Sequence, residues 1–299
     1  KPPPHPSDCR RNRLSGGAGD LAVPRPPDFL IIGTMKSGTT SLFRWLEQQP
    51  DFDMPGDKEP NFFCDDDVWD RGLEWYGSLF VHAADDHLTG EASVAYTDPR
   101  LADRAAQRIA ATLPAVPLVC VLRNPFERLR SHYRHEVQRG RERRPFESAV
   151  GPSTPYVRRS MYHTCLEPYL RRFPTSQLLI VRFEDLMAPD HRGWGDLLRH
   201  IGAPLRPAPG EAHNVTADKP QYRRLMLRLW ESGRLERLRR VPAPLRRAGK
   251  HLLTRRGGGY TRRLREADGP LPAAAARAVR DDVHLLEQRL SRTLWDLAS

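Results

Sequence analysis

Apolar positions along the chain come in two rhythms, short unbroken runs and stripes that repeat every three to four residues, and the two alternate. Phe29-Leu30-Ile31-Ile32 and Leu118-Val119-Cys120-Val121-Leu122 are unbroken runs of the kind shown by strands buried on both faces of a parallel sheet. Residues 89–95, beside Gly90, and residues 178–181 give two further short strands. Between them, Leu42, Trp45 and Leu46 predict a helix over 39–49, stopped by Pro50. Further helices are predicted over 68–80, 100–113, 125–139, 160–173, 194–201 and 272–297, the last with Val283, Leu286, Leu290 and Leu294 on one stripe. Residues 51–67, with Pro55-Gly56 and Glu59-Pro60, read as a loop. Strands alternating with helices imply right-handed crossovers and ligands beyond the strand C-termini.

The first strand runs into Gly33-Thr34-Met35-Lys36-Ser37-Gly38-Thr39-Thr40 and then into a helix, the order of a phosphate cradle. Gly33 and Gly38 have the Walker A spacing and Thr40 its hydroxyl, but Thr39 stands where an ATPase needs lysine. The lysine is Lys36 instead. The predicted fold is therefore α/β, a P-loop-type three-layer architecture with a central, mainly parallel sheet and helices on both faces. Residues 1–27, rich in Pro, Gly and Arg, read as a flexible arm. Residues 28–299 are expected to form one domain, with a basic helical segment at about 220–265, broken at Gly257-Gly258-Gly259, and a C-terminal helix.

With Lys36 ahead of Gly38, the loop resembles the 5′-phosphosulfate loop of sulfotransferases that use 3′-phosphoadenosine 5′-phosphosulfate (PAPS). Arg123-Asn124-Pro125, at the end of the strand over 118–122, with Ser131 eight residues on, is similar to that family's 3′-phosphate motif. The spacing has a physical basis, because a guanidinium fork and a hydroxyl two helical turns on can share one dianion. Lys58-Glu59-Pro60-Asn61-Phe62-Phe63 resembles a segment of heparan sulfate N- and O-sulfotransferases in which the glutamate is the catalytic base. The block from Gly90-Glu91 to Tyr96 resembles their next segment, with Ala92 where they commonly carry lysine. Ser160-Met161-Tyr162-His163 and Glu184-Asp185-Leu186 extend the similarity, which covers residues 27–189.

The resemblance implies sulfuryl transfer from PAPS to a hydroxyl or amine of a carbohydrate or glycoconjugate, leaving adenosine 3′,5′-bisphosphate, with no metal. Lys36 and Glu59 would be catalytic, with His163 the rival to Glu59 as base. Lys36, Ser37, Gly38, Thr39, Thr40, Arg123 and Ser131 would hold the nucleotide. The implied partners are that donor and a glycan, glycolipid or other small-molecule acceptor. A P-loop small-molecule kinase is the alternative that Thr39 argues against. A basic nucleic-acid-binding protein is the other, and the sequence has no helix-turn-helix or aromatic RNA-binding signature for it.

A formal charge of +11 over 299 residues suits anionic partners, though an arginine-rich composition gives the same balance with no partner at all. Cys9, Cys64, Cys120 and Cys165 lie far apart without zinc spacing, and Cys120 reads as a small buried hydrophobe. His132 and His135 lack a third ligand and read as exposed helix residues. No apolar run approaches the ~20 residues of a membrane span. The expected compartment is the cytoplasm, with room for peripheral membrane association. A chain that starts at Lys1 leaves a trimmed signal or anchor open.

Overall fold

Among the described residues, five parallel strands form one sheet in the order β2-β3-β1-β4-β5: β1 is Phe29–Gly33, β2 Phe52–Asp53, β3 Leu88–Ala92, β4 Leu118–Leu122 and β5 Leu178–Arg182. The structure is a computed structural model and describes residues 26–56, 58–209, 221–222, 254–255 and 258–297. Every residue of β1, β3 and β4 is buried; β1 and β4 accordingly run apolar without alternation, whereas β3 buries Thr89 and Glu91 as well.

The described residues fall into two compact units, one made of those up to 124 with 162–209 and 285–297, the other of the rest. The first unit holds the sheet. On one face Phe29, Ile31, Val119 and Val121 pack with helices α1 (Thr39–Glu47) and the later Arg192–His200, through Leu42, Trp45, Trp194 and Leu197. Each such side chain contributes about 1.5–3 kcal/mol of burial. Cys120 belongs to the opposite face, where its thiol is pushed far up by burial and then by its neighbour Cys165 of the helix Tyr162–Arg172. The Tyr169 hydroxyl of that helix donates to the Tyr96 carbonyl at 2.8 Å. Helices therefore cover both faces, as the sequence predicts.

β1 and β4 are adjacent, yet the chain leaves β1 towards β2 and leaves β4 towards β5. Neighbouring parallel strands whose connections part in opposite directions open a crevice at their C-terminal ends.

Several local expectations need correction. Residues 51–67 contain the edge strand β2, whose two residues are too few to show a period. The predicted helix over 68–80 is two helices, α2 (Asp66–Trp69) and α3 (Gly72–Ser78), separated where Gly72 turns left-handed at φ 82°. Residues 89–95 divide into β3 and a 3₁₀ turn, Val94–Thr97. The remaining helices of the first unit are α4 (Ala102–Thr112) and the short Phe183–Met187.

The second unit opens with helix Pro125–Gln138 and includes Phe146–Ala149, Pro155–Arg158 and Gly258–Glu266, while Ala273–Leu290 contributes to both units. Within it, Arg128 is fully buried and donates through Nε to Ser160 Oγ at 2.7 Å. His132 is buried against the Tyr156 ring, not exposed as the sequence suggested. Of the segment at about 220–265, Gln221–Tyr222 and Thr254–Arg255 pair as antiparallel strands, and Gly258 opens a helix where a break was expected. The rest of that segment and the arm at 1–25 lie outside the described residues. Among the described residues, no helix is long and apolar enough to cross a membrane.

Candidate active site

The phosphate cradle is built by β1 handing over to α1. Past Gly33 the chain is pinned to β4: the Thr34 amide donates to the Val121 carbonyl at 2.8 Å and its hydroxyl donates to the same oxygen at 3.1 Å. With the Thr34 proton used there, the 2.6 Å contact between Thr34 Oγ1 and Ser37 Oγ has Ser37 as donor. The Ser37 amide also turns inward, to the Thr34 carbonyl at 3.2 Å. Ser37 is wholly buried, so both of its donors shape the loop.

Lys36 stands in the left-handed region at φ 71°, and Gly38 follows at φ 85° as the N-cap of α1. Gly38 brings no side chain to cap α1, which leaves its first turn at the positive end of the helix dipole without a cap from that position. Thr39 is buried and Thr40 half-buried in that turn. A Cβ on Gly33 would collide with Thr97, and one on Gly38 would come within 2.5 Å of the Phe183 ring. Close packing thus requires both glycines, and the left-handed turn requires Gly38 as well.

Arg123 follows β4 at the same end of the sheet. Its guanidinium lies 5.1 Å from the centre of the Phe183 ring, the ring that also abuts Gly38. Its carbonyl accepts from the Tyr162 hydroxyl at 2.7 Å, and the Asn124 amide donates to Glu184 Oε1 at 2.7 Å. The turn after β4 is therefore held from two other elements. Ser131 is buried on helix Pro125–Gln138 in the second unit, and His163 lies in the first turn of helix Tyr162–Arg172 in the first.

The second candidate segment is the turn Glu59-Pro60-Asn61, with Glu59 at φ 68° and Asn61 at φ 57°. The Asn61 side-chain amide donates to the Glu59 carbonyl at 3.0 Å, and the Lys58 ammonium meets Glu59 Oε1 at 2.7 Å. Non-glycine residues at positive φ sit in a sparsely populated backbone region that persists only when surroundings impose it, and they cluster at functional sites. Of five such residues among those described, three are Lys36, Glu59 and Asn61.

Behind this turn Phe62 stacks on Tyr76 with ring centres 4.4 Å apart, and Phe63 packs edge-on to Tyr96. Beneath them lies Glu91 of β3, fully buried. Burial pushes its carboxyl up to about 7, against the hydrogen bonds from Tyr96, Ser93 and Tyr76, with the charge of Glu59 adding to the rise. Sequence reasoning placed Glu91 only inside a matching block and passed over Phe183 altogether. For Phe183 the available signal was its position directly after β5, matching that of Arg123 after β4.

Residues 26–217 match the sulfotransferase domain family. The chain belongs to that family. It is 35% identical over 172 residues to heparan sulfate glucosamine 3-O-sulfotransferase 6 of Homo sapiens, across 55% of this chain and 48% of that protein. It is 32% identical over 183 residues to bifunctional heparan sulfate N-deacetylase/N-sulfotransferase 2 of Homo sapiens, across 54% of this chain and 20% of that one. The chain thus spans about half the length of the first relative and a fifth of the second. The crystal structure of a sulfotransferase from Alicyclobacillus acidocaldarius aligns over 90% of this chain and 98% of its own, at 22% identity and a TM-score of 0.60, which establishes the shared fold.

Proposed function

We propose that the chain transfers a sulfuryl group from PAPS to a hydroxyl or amine of a glycan acceptor of the heparan sulfate class. The observation that carries this reading is Lys36, held left-handed just ahead of an uncapped helix N-terminus, in a loop whose Walker lysine position is Thr39. Amides at the start of α1 and the Thr40 hydroxyl would receive the 5′-phosphate. Ser37 would set the loop's shape, its own donors being engaged with Thr34. Arg123 and Ser131 would take the 3′-phosphate, a group that ATP lacks.

PAPS supplies the sulfuryl group on a phosphate leaving group. Glu59 takes the proton of the acceptor as its oxygen or nitrogen bonds to sulfur. Lys36 meets the negative charge growing on the oxygen that bridged sulfur to the 5′-phosphate as that bond breaks. The names of the heparan sulfate relatives and the positive balance of the chain support an acidic glycan as acceptor.

Thermal shift with adenosine 3′,5′-bisphosphate, magnesium-ATP and duplex DNA tests the donor, because a specific ligand stabilises with occupancy. Stabilisation by the bisphosphate alone is expected. Stabilisation by magnesium-ATP alone would indicate a kinase and overturn the reading. Labelled PAPS offered with N-sulfated heparosan, a glycolipid and a phenol then tests the acceptor, with label expected on the glycan.

A further inference from the structure

We propose that Glu91 is a positioning residue for the turn that carries Glu59: through the hydroxyls of Ser93 and Tyr96 it anchors the backbone amides of Asn61 and Phe63. The inference rests on Glu59 being the base proposed above.

Ser93 Oγ accepts from the Asn61 amide at 3.0 Å and has one proton to give, and Glu91 Oε2 lies 2.8 Å away. Tyr96 Oη accepts from the Phe63 amide at 3.3 Å and likewise has one proton, with Glu91 Oε1 at 2.6 Å. Each chain runs amide to hydroxyl to carboxyl, and Glu91 is the terminal acceptor of both. A third hydroxyl, of Tyr76, donates to Oε1 at 3.3 Å while its ring stacks on Phe62. Two carboxyl oxygens have lone pairs for all three donors, whereas an amide at this position offers one acceptor atom.

Glu91 is an expensive choice for packing alone. It is fully buried, and its carboxyl oxygens are met by three neutral hydroxyls, those of Ser93, Tyr96 and Tyr76. A fold in need of volume there would do better with an apolar side chain. The turn it serves has Glu59 and Asn61 both at positive φ, a shape that relaxes unless something outside holds it. Fixing the amides at 61 and 63 pins the C-terminal end of that turn, and with it the direction in which the Glu59 carboxylate leaves the backbone.

Amide hydrogen exchange on the full chain reads the anchor without any substrate. Ser93→Ala and Tyr96→Phe should each speed exchange at the amides of Asn61 and Phe63 by on the order of 10-fold, with the amides of residues 34–40 unchanged. Glu91→Gln should do the same if it folds, and the two milder variants decide the matter if it does not. With PAPS and N-sulfated heparosan as probes, Ser93→Ala should lower kcat on the order of 10-fold at constant KM for PAPS, and Ser93→Thr should restore it. Unchanged exchange at both amides in Ser93→Ala and Tyr96→Phe would overturn the proposal. So would loosened exchange with kcat intact in a chain that Glu59→Gln inactivates. Full turnover in Glu59→Gln would instead remove Glu59 as base, while the exchange data would still report whether Glu91 anchors the turn.

Discussion

Glu91 and Glu142 are both buried carboxylates, one in each unit, and their surroundings push them in opposite directions. Glu91 meets three neutral hydroxyls, and burial carries it up to about 7. Around Glu142 the partners are charged or rigid: Oε1 accepts from the amides of Arg143 and Arg144 at 2.8 and 2.9 Å, and Oε2 from Arg144 Nη2 at 2.8 Å and the Tyr156 hydroxyl at 3.0 Å. Burial raises Glu142 too, but the bonds from Arg144 and the amides outweigh it and hold the group at about 2. A carboxylate used as a staple is given a cation. One that orients a reactive turn is given hydroxyls, whose single protons make the network directional.

If that contrast is sound, damage near the cradle and the Glu59 turn should appear in turnover, and damage at Glu142 in stability. The largest expected effect is that of Lys36→Ala, a loss on the order of 10²–10³ in kcat, or about 3–4 kcal/mol, with the melting temperature kept. Sulfation kinetics on the purified variant check this, and near-wild-type turnover would remove Lys36 from the mechanism. The titration of Glu91 comes next. Its folded-state pKa lies above the ordinary 4.5, so its contribution to stability is fully present below pH 4.5 and is lost as pH rises to about 7. The span corresponds to roughly 3 kcal/mol at most. Denaturant titrations across that window should show a slope in the native chain that is absent in Glu91→Gln.

For Glu142 the sign reverses. Its pKa is depressed, so its contribution is present above pH 4.5 and is lost as pH falls towards about 2. Glu142→Gln should therefore cost roughly 2–3 kcal/mol at neutral pH and leave kcat alone. A drop in kcat without loss of stability would erase the distinction between the two carboxylates. The smallest effect belongs to Arg123→Ala, which should weaken adenosine 3′,5′-bisphosphate by roughly 10-fold and AMP hardly at all. Calorimetric titration with both ligands checks it, and equal losses would contradict a 3′-phosphate role.

What the sequence disclosed followed from how local each signal was. β4 is legible to the residue because five apolar positions are buried on both faces and Arg123-Asn124-Pro125 closes the run. Lys36 and Gly38 are legible because the loop signature is local: Gly33 and Gly38 stand at fixed spacing, the first where Thr97 leaves no room for a Cβ and the second where the chain turns left-handed. The edge strand β2 is hidden by its length, and the break at Gly72 by the aromatic stripe that spans it. Glu91 and Phe183 were illegible as anchors for a different reason. Their importance lies in partners about 30 and 60–145 residues away in the chain, a relation no window of sequence contains.

Phe183 has a consequence of its own. One benzene ring touches Gly38 on the cradle and carries the Arg123 guanidinium on its face, so the spacing between two anion-seeking groups is set by an incompressible object. The site is gauged like a caliper with a fixed jaw. On the proposed assignment of the cradle and Arg123 to the two phosphates of the donor, a bisphosphate would have to match that opening, and a ligand with the right charges on the wrong length of scaffold would satisfy one jaw at a time.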